Sequence, residues 1–80
     1  MATMTEIIEY VAGTLVEKPE AIKVHEIKGA RSTIYELSCD REDMGRLIGR
    51  EGRIVKSLRI LLKAMAARTE GENVELEIIE

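Results

Sequence analysis

Apolar positions along the chain change period several times, and each change marks a predicted element. In TMTEIIEYVAGTLV, Thr3 to Val16, residues Ile7, Ile8, Val11 and Leu15 fall at i, i+1, i+4 and i+8, one helical stripe. Thr3 and Glu6 have capping-box spacing, so a helix is expected to begin there. Gly13 weakens it, and Pro19 closes the region. The stretches AIKVHEIKG (Ala21–Gly29) and STIYELSC (Ser32–Cys39) are rich in β-branched and apolar residues with partial alternation. KGAR between them supplies a turn, which predicts an antiparallel hairpin. Alternation slips at Ile27, as it would at a bulge or a strand end.

Asp40 to Ile48 reads as a short helix capped by Asp40, with Glu42 and Asp43 in its first turn, where the helix dipole favours carboxylates. In the longer helix that follows, Ile54, Val55, Leu58, Leu61, Leu62 and Met65 recur at i, i+1, i+4, i+7, i+8 and i+11. Gly71 is its expected terminator. NVELEIIE then sets Val74, Leu76 and Ile78 on one face of a final strand. The predicted order is α-β-β-α-α-β, without repeats, linkers or low-complexity segments.

Composition narrows the class. A chain of 80 residues, 45% apolar and 34% charged, is expected to form one globular domain over 1–80. The lone Cys39 excludes an internal disulfide and fits a reducing compartment. No basic leader with an apolar run and no membrane-length apolar stretch occurs, so a cytoplasmic location without membrane contact is expected. A net charge of −3 argues against nucleic acid only until its distribution is considered. Between Arg41 and Arg68 lie eight Lys/Arg against three acids, a local balance of +5, while the remainder has four against twelve, or −8.

The positive segment also holds glycines where its two predicted helices meet. Gly49 and Gly52 flank Arg50 and Glu51 between the two predicted helices. A glycine inside a helix costs about 0.5–1 kcal/mol relative to alanine, so these two serve the backbone. They permit a tight turn and remove side chains that would hold a ligand backbone away. The next helix begins there, and its N-terminal N–H groups favour an anion. Arg46, Arg50, Arg53 and Lys56 add positive charge, a combination suited to a phosphodiester backbone.

With DMGRLIGREGRIVKSLR set inside α-β-β-α-α-β, the sequence resembles the KH domain in its type II topology. LVEKPEAIKVHEI, STIYELSC and GRIVKSLRILLKAMAA extend that resemblance over essentially the whole chain, toward the small stand-alone bacterial KH proteins of the KhpA type. The resemblance implies an α+β fold, a three-stranded mixed sheet with helices packed on one face. It also implies a GxxG loop that clamps the backbone of single-stranded RNA. By the same resemblance, Arg46, Ile48, Gly49, Arg50, Glu51, Gly52, Arg53, Ile54 and Lys56 form the RNA-binding site. Members of the family are cytoplasmic homodimers or partners of a larger Jag-type KH protein (KhpB), linked to RNA chaperoning and control of cell elongation and shape.

The sequence departs from many KH domains at Glu51, a carboxylate in a loop whose central residues are commonly basic or neutral. Facing phosphate it would cost affinity, so weak and salt-sensitive binding is expected. Plainer readings stand beside these. Gly49 and Gly52 could make a structural turn only, and Arg50, Arg53 and Lys56 a solvated helix face. Arg46, Arg59 and Lys63 fit either role equally. His25 lacks metal-ligand partners at usable spacing, Cys39 lacks a catalytic His–Asp context, and Tyr10 and Tyr35 suit packing better than base stacking. Ile60 and Met65 are candidates for a dimer surface. No catalytic residue, metal site or cofactor is expected, because no nucleophile–base pair, metal cluster or P-loop is present in the pattern. The competing function is a protein-interaction or dimerisation module with a vestigial RNA-binding loop.

Overall fold

The computed structural model describes residues 3–69 and 73–79. Helix α1, Met4–Leu15, starts where the capping box sets it. Glu6 N–H donates to Thr3 Oγ1 at 3.1 Å and Thr3 N–H donates to Glu6 Oε1 at 2.8 Å. Ile8 and Ala12, one turn apart, are buried, and Val11 and Leu15 pack beside them. A 3-10 turn, Pro19–Ala21, leads into strand β1, Lys23–Lys28.

Strand β2, Ser32–Ser38, pairs antiparallel with β1, from Lys23 opposite Ser38 to Lys28 opposite Thr33. Gly29 N–H donates to the Ser32 carbonyl at 2.7 Å and closes the hairpin. The register runs unbroken through Ile27, opposite Ile34, so there is no bulge. Ile27 stands one residue from the strand end. Alternation fails because β1 is an edge strand that covers little of itself, only Val24 being partly buried. Strand β3, Asn73–Ile79, lies parallel to β2, giving the order β1-β2-β3. Parallel neighbours need a long crossover, and the helices between β2 and β3 supply it.

Thr33, Tyr35 and Leu37 on β2, with Val74 and Leu76 on β3, face the helices. Most of them join Ile8, Ala12, Leu47, Val55, Leu58, Leu62 and Ala66 in one core. Each fully buried aliphatic side chain there contributes about 1.5–3 kcal/mol. The other face of the sheet carries His25, Ile27, Glu75 and Glu77, all exposed.

The predicted helix from Asp40 to Ile48 is two pieces. Asp40 accepts the Glu42 N–H at 3.0 Å and caps a 3-10 turn, Arg41–Asp43; helix α2, Met44–Ile48, follows. Glu42 and Asp43 lie in the first turn of this piece, but Asp43 is buried, and its carboxylate reaches both Arg46 of α2 and the backbone after α1. Helix α3, Arg53–Thr69, buries Val55, Leu58, Leu62 and Ala66. Leu61, expected in that stripe, is 47% exposed, and Ile60 is 70% exposed. Gly71, the expected terminator, lies outside the described residues.

Candidate nucleic-acid interface

Helix α2 is anchored by Leu47, which is fully buried, and it ends at Gly49, whose N–H donates to the Gly45 carbonyl at 2.8 Å. Gly49 has φ 76° and ψ 174°, a region essentially closed to other residues. A Cβ there would also sit 2.7 Å from Cγ1 of Ile54. Two independent constraints therefore require glycine. Arg50–Gly52 forms a 3-10 turn in which the Gly52 N–H donates to the Gly49 carbonyl at 3.1 Å. Glu51 is left-handed at φ 57°, and Gly52 at φ 73°. Gly52 is needed for its backbone angle alone, since an added Cβ would only touch the Lys56 stem at 3.6 Å.

This turn changes the expected source of anion attraction. The N–H groups of Gly52 and Arg53 are taken up by the Gly49 and Arg50 carbonyls. Positive side chains and the α3 dipole remain. Arg50, Arg53 and Lys56 are exposed, and among the described residues none of them forms an ion pair. Glu51 is exposed and unpaired in the same sense, so no arginine neutralises it. Ile48 is 37% exposed and Ile54 partly buried, leaving apolar surface beside the loop.

Arg46 behaves differently from the other expected cations. Its guanidinium donates to Asp43 Oδ1 at 3.0 Å and to Glu17 Oε1 at 2.9 Å. Asp43 in turn accepts the N–H groups of Glu17 at 3.2 Å and Lys18 at 3.1 Å. Burial pushes the Asp43 carboxyl up, but the two amides and the Arg46 guanidinium outweigh it and hold the group below the usual carboxylate range. Lys18 Nζ lies 3.5 Å from Asp40 and 3.4 Å from Glu42, and chiefly the Asp40 charge raises its pKa. The segment after α1 is thus tied to the start of α2. Sequence reasoning missed this link, since Asp43 meets partners some 25 residues away and nothing local marks it.

A second group of charges lies along α3. Lys56, Arg59 and Lys63 stand at i, i+3 and i+7, one helix face, and that spacing is visible in the sequence. Arg59 Nε donates to the Leu76 carbonyl of β3 at 3.1 Å. A cleft of about 230 Å³ there is lined by Arg59, Lys63, Glu75, Leu76 and Glu77. Cys39 and His25 add no chemistry. The Cys39 thiol donates to the Asp40 carbonyl and burial raises its pKa, while His25 is exposed on β1. The described residues hold no cluster of His, Cys, Asp and Glu suited to a metal ion, and none of their helices is long and apolar enough to cross a membrane.

Two helices joined by a Gly-x-x-Gly turn, packed with α1 on one face of a mixed three-stranded sheet in the order α-β-β-α-α-β, define a type II KH fold. Residues 5–78 match the family described as KhpA/KhpB, KH domain, and the chain belongs to that family. It is 46% identical over 76 residues to the RNA-binding protein KhpA of Clostridium perfringens, covering 95% of this chain and 100% of that one. It is 42% identical over 77 residues to the RNA-binding protein KhpA of Chlamydia pneumoniae, covering 96% and 97%. Among solved structures it resembles Era in complex with MgGDPNP and nucleotides 1506–1542 of 16S ribosomal RNA, with a TM-score of 0.64 and 25% identity. That match covers 92% of this chain but spans only 28% of the Era chain.

Proposed function

We propose that the chain is a non-catalytic RNA-binding protein, a single KH domain over 1–80 whose Gly49–Gly52 loop holds the phosphate backbone of single-stranded RNA. The observation that carries this reading is the backbone of the loop. Gly49 and Gly52 adopt positive φ where α2 meets α3, with unpaired Arg50, Arg53 and Lys56 around them. Relatives named as RNA-binding proteins support it. Arg50, Arg53 and Lys56 contact phosphate, Ile48 and Ile54 lie against bases, and Glu51 tempers the affinity. Arg46 acts by holding α2 in place. The protein works in the cytoplasm as an RNA chaperone or post-transcriptional regulator linked to cell elongation and shape, without a cofactor. It forms a homodimer or pairs with the larger KhpB. A second reading, an interaction module with a vestigial loop, is favoured by the exposure of Ile60 and Leu61 on α3.

Fluorescence anisotropy with labelled single-stranded RNA separates the two. Three or four phosphate contacts give a log–log salt slope of roughly −2 to −3, at about −0.7 per contact. Arg53→Ala makes the slope shallower by about one contact and weakens all sequences alike. Arg50→Asp with Glu51→Asp abolishes binding while circular dichroism stays unchanged. A flat salt dependence moves the interaction module ahead, whereas full binding by the double variant means that the loop is not the site.

A further inference from the structure

The cleft between α3 and the outer edge of β3 differs in charge from the loop. Around the loop, Arg50, Arg53 and Lys56 outnumber Glu51. In the cleft, Arg59 and Lys63 are balanced by Glu75 and Glu77. A phosphodiester gains little where two carboxylates offset two cations, so this cleft suits a ligand that is both acceptor and donor. Arg59 is also already oriented. Its Nε is spent on the Leu76 carbonyl at 3.1 Å, which holds the planar guanidinium at the strand edge. Among the described residues its two terminal NH2 groups form no ion pair with Glu75 or Glu77. A guanidinium held at a strand edge, in a cleft that two glutamates also line, has donors and acceptors of the kind that a base edge pairs with.

We propose that Arg59, anchored on β3 and flanked by Glu75 and Glu77, selects a guanine base in the bound RNA strand. The inference rests on the RNA-binding reading above. Guanine presents O6 and N7 as adjacent acceptors for a guanidinium fork, the commonest specific arginine–base contact. It also presents N1–H and an exocyclic amine, two donors for a carboxylate of Glu75 or Glu77. Unpaired bases in a single strand expose both edges. Cytosine offers two adjacent acceptors, N3 and O2, but one donor group for two carboxylates. Adenine and uracil lack two adjacent acceptors. Lys63, one turn beyond Arg59, adds a donor without fixed geometry.

The test is anisotropy of the full chain against short labelled oligouridines carrying one central guanosine, 7-deazaguanosine, adenosine or cytidine, or none. The guanosine probe is expected to bind at least about 5-fold tighter than the others, the size of one bidentate contact. Removing N7 in the 7-deaza probe abolishes most of that preference. Arg59→Lys keeps the charge, so it erases the preference and leaves the salt slope unchanged. Equal affinity for all probes, a cytidine preference, or a guanosine preference that survives Arg59→Lys overturns the proposal while the RNA-binding reading stands. A variant with a shallower slope and unchanged preference makes Arg59 a phosphate contact and overturns it too. Failure of every probe to bind, even at about 50 mM salt, overturns the RNA-binding reading first.

Discussion

At the scale of single residues, three glycines near one another are constrained to different degrees. Gly49 combines a φ of 76° with a Cβ position 2.7 Å from Ile54, whereas Gly45, four residues earlier in α2, has nothing within 4 Å of an added Cβ. Gly49→Ala is therefore expected to cost about 1–3 kcal/mol, the usual penalty of a strained backbone, and to weaken RNA binding with it. Gly45→Ala should gain up to about 1 kcal/mol by removing freedom from the unfolded chain, with binding retained. Urea melts of both variants beside RNA titrations check this. Equal effects at the two positions would mean that the loop geometry is not special. Gly52 falls between them, with a constrained angle and room for a methyl group. The spacing of Gly49 and Gly52 was legible in the sequence. The left-handed Glu51 between them was not, because a glutamate carries no local signal for that conformation.

At the scale of elements, the molecule depends on links that join pieces far apart in the chain. Asp43 ties α2 to the segment after α1 through two backbone amides and Arg46. Its folded pKa lies below the ordinary aspartate value, so its stabilisation is present above that ordinary value and is lost as pH falls through the folded one. Asp43→Asn is expected to lower the melting temperature at neutral pH by several degrees. It should also flatten the decline in stability below about pH 4. Thermal melts across that range decide it; a parent-like acid decline in the variant would assign the titration to other carboxylates, such as Glu6, whose pKa Thr3 lowers. Helix α3 shows the same dependence on context. Its apolar pattern announced a helix correctly, yet Leu61 turned outward and Ala66 inward, because the core centres on the row Val55, Leu58, Leu62 and Ala66. Periodicity locates a stripe; the neighbours facing it set its centre.

At the scale of the whole molecule, 80 residues bury only about 60% of their unfolded surface, and two large aliphatic side chains remain exposed on α3. Ile60, at 70% exposure, is the better probe of assembly because it contributes nothing to the core. If the proposed homodimer uses this face, Ile60→Asp should shift the sedimentation coefficient at micromolar concentration toward the monomer with circular dichroism unchanged. A dimer that persists would place the contact elsewhere. The sequence by itself determined the order of elements, the capping box at Thr3, the hairpin, the GxxG junction and the segregation of positive charge, because each is written in residues a few positions apart. Tertiary structure alone decided that β3 lies parallel beside β2, that Asp43 and Glu17 engage Arg46, and that Arg59 rests on the Leu76 carbonyl. Those outcomes depend on which partners packing brings together across 17 or more residues of chain for Arg59 and 29 for Glu17 and Arg46, distances over which no local periodicity or capping preference acts.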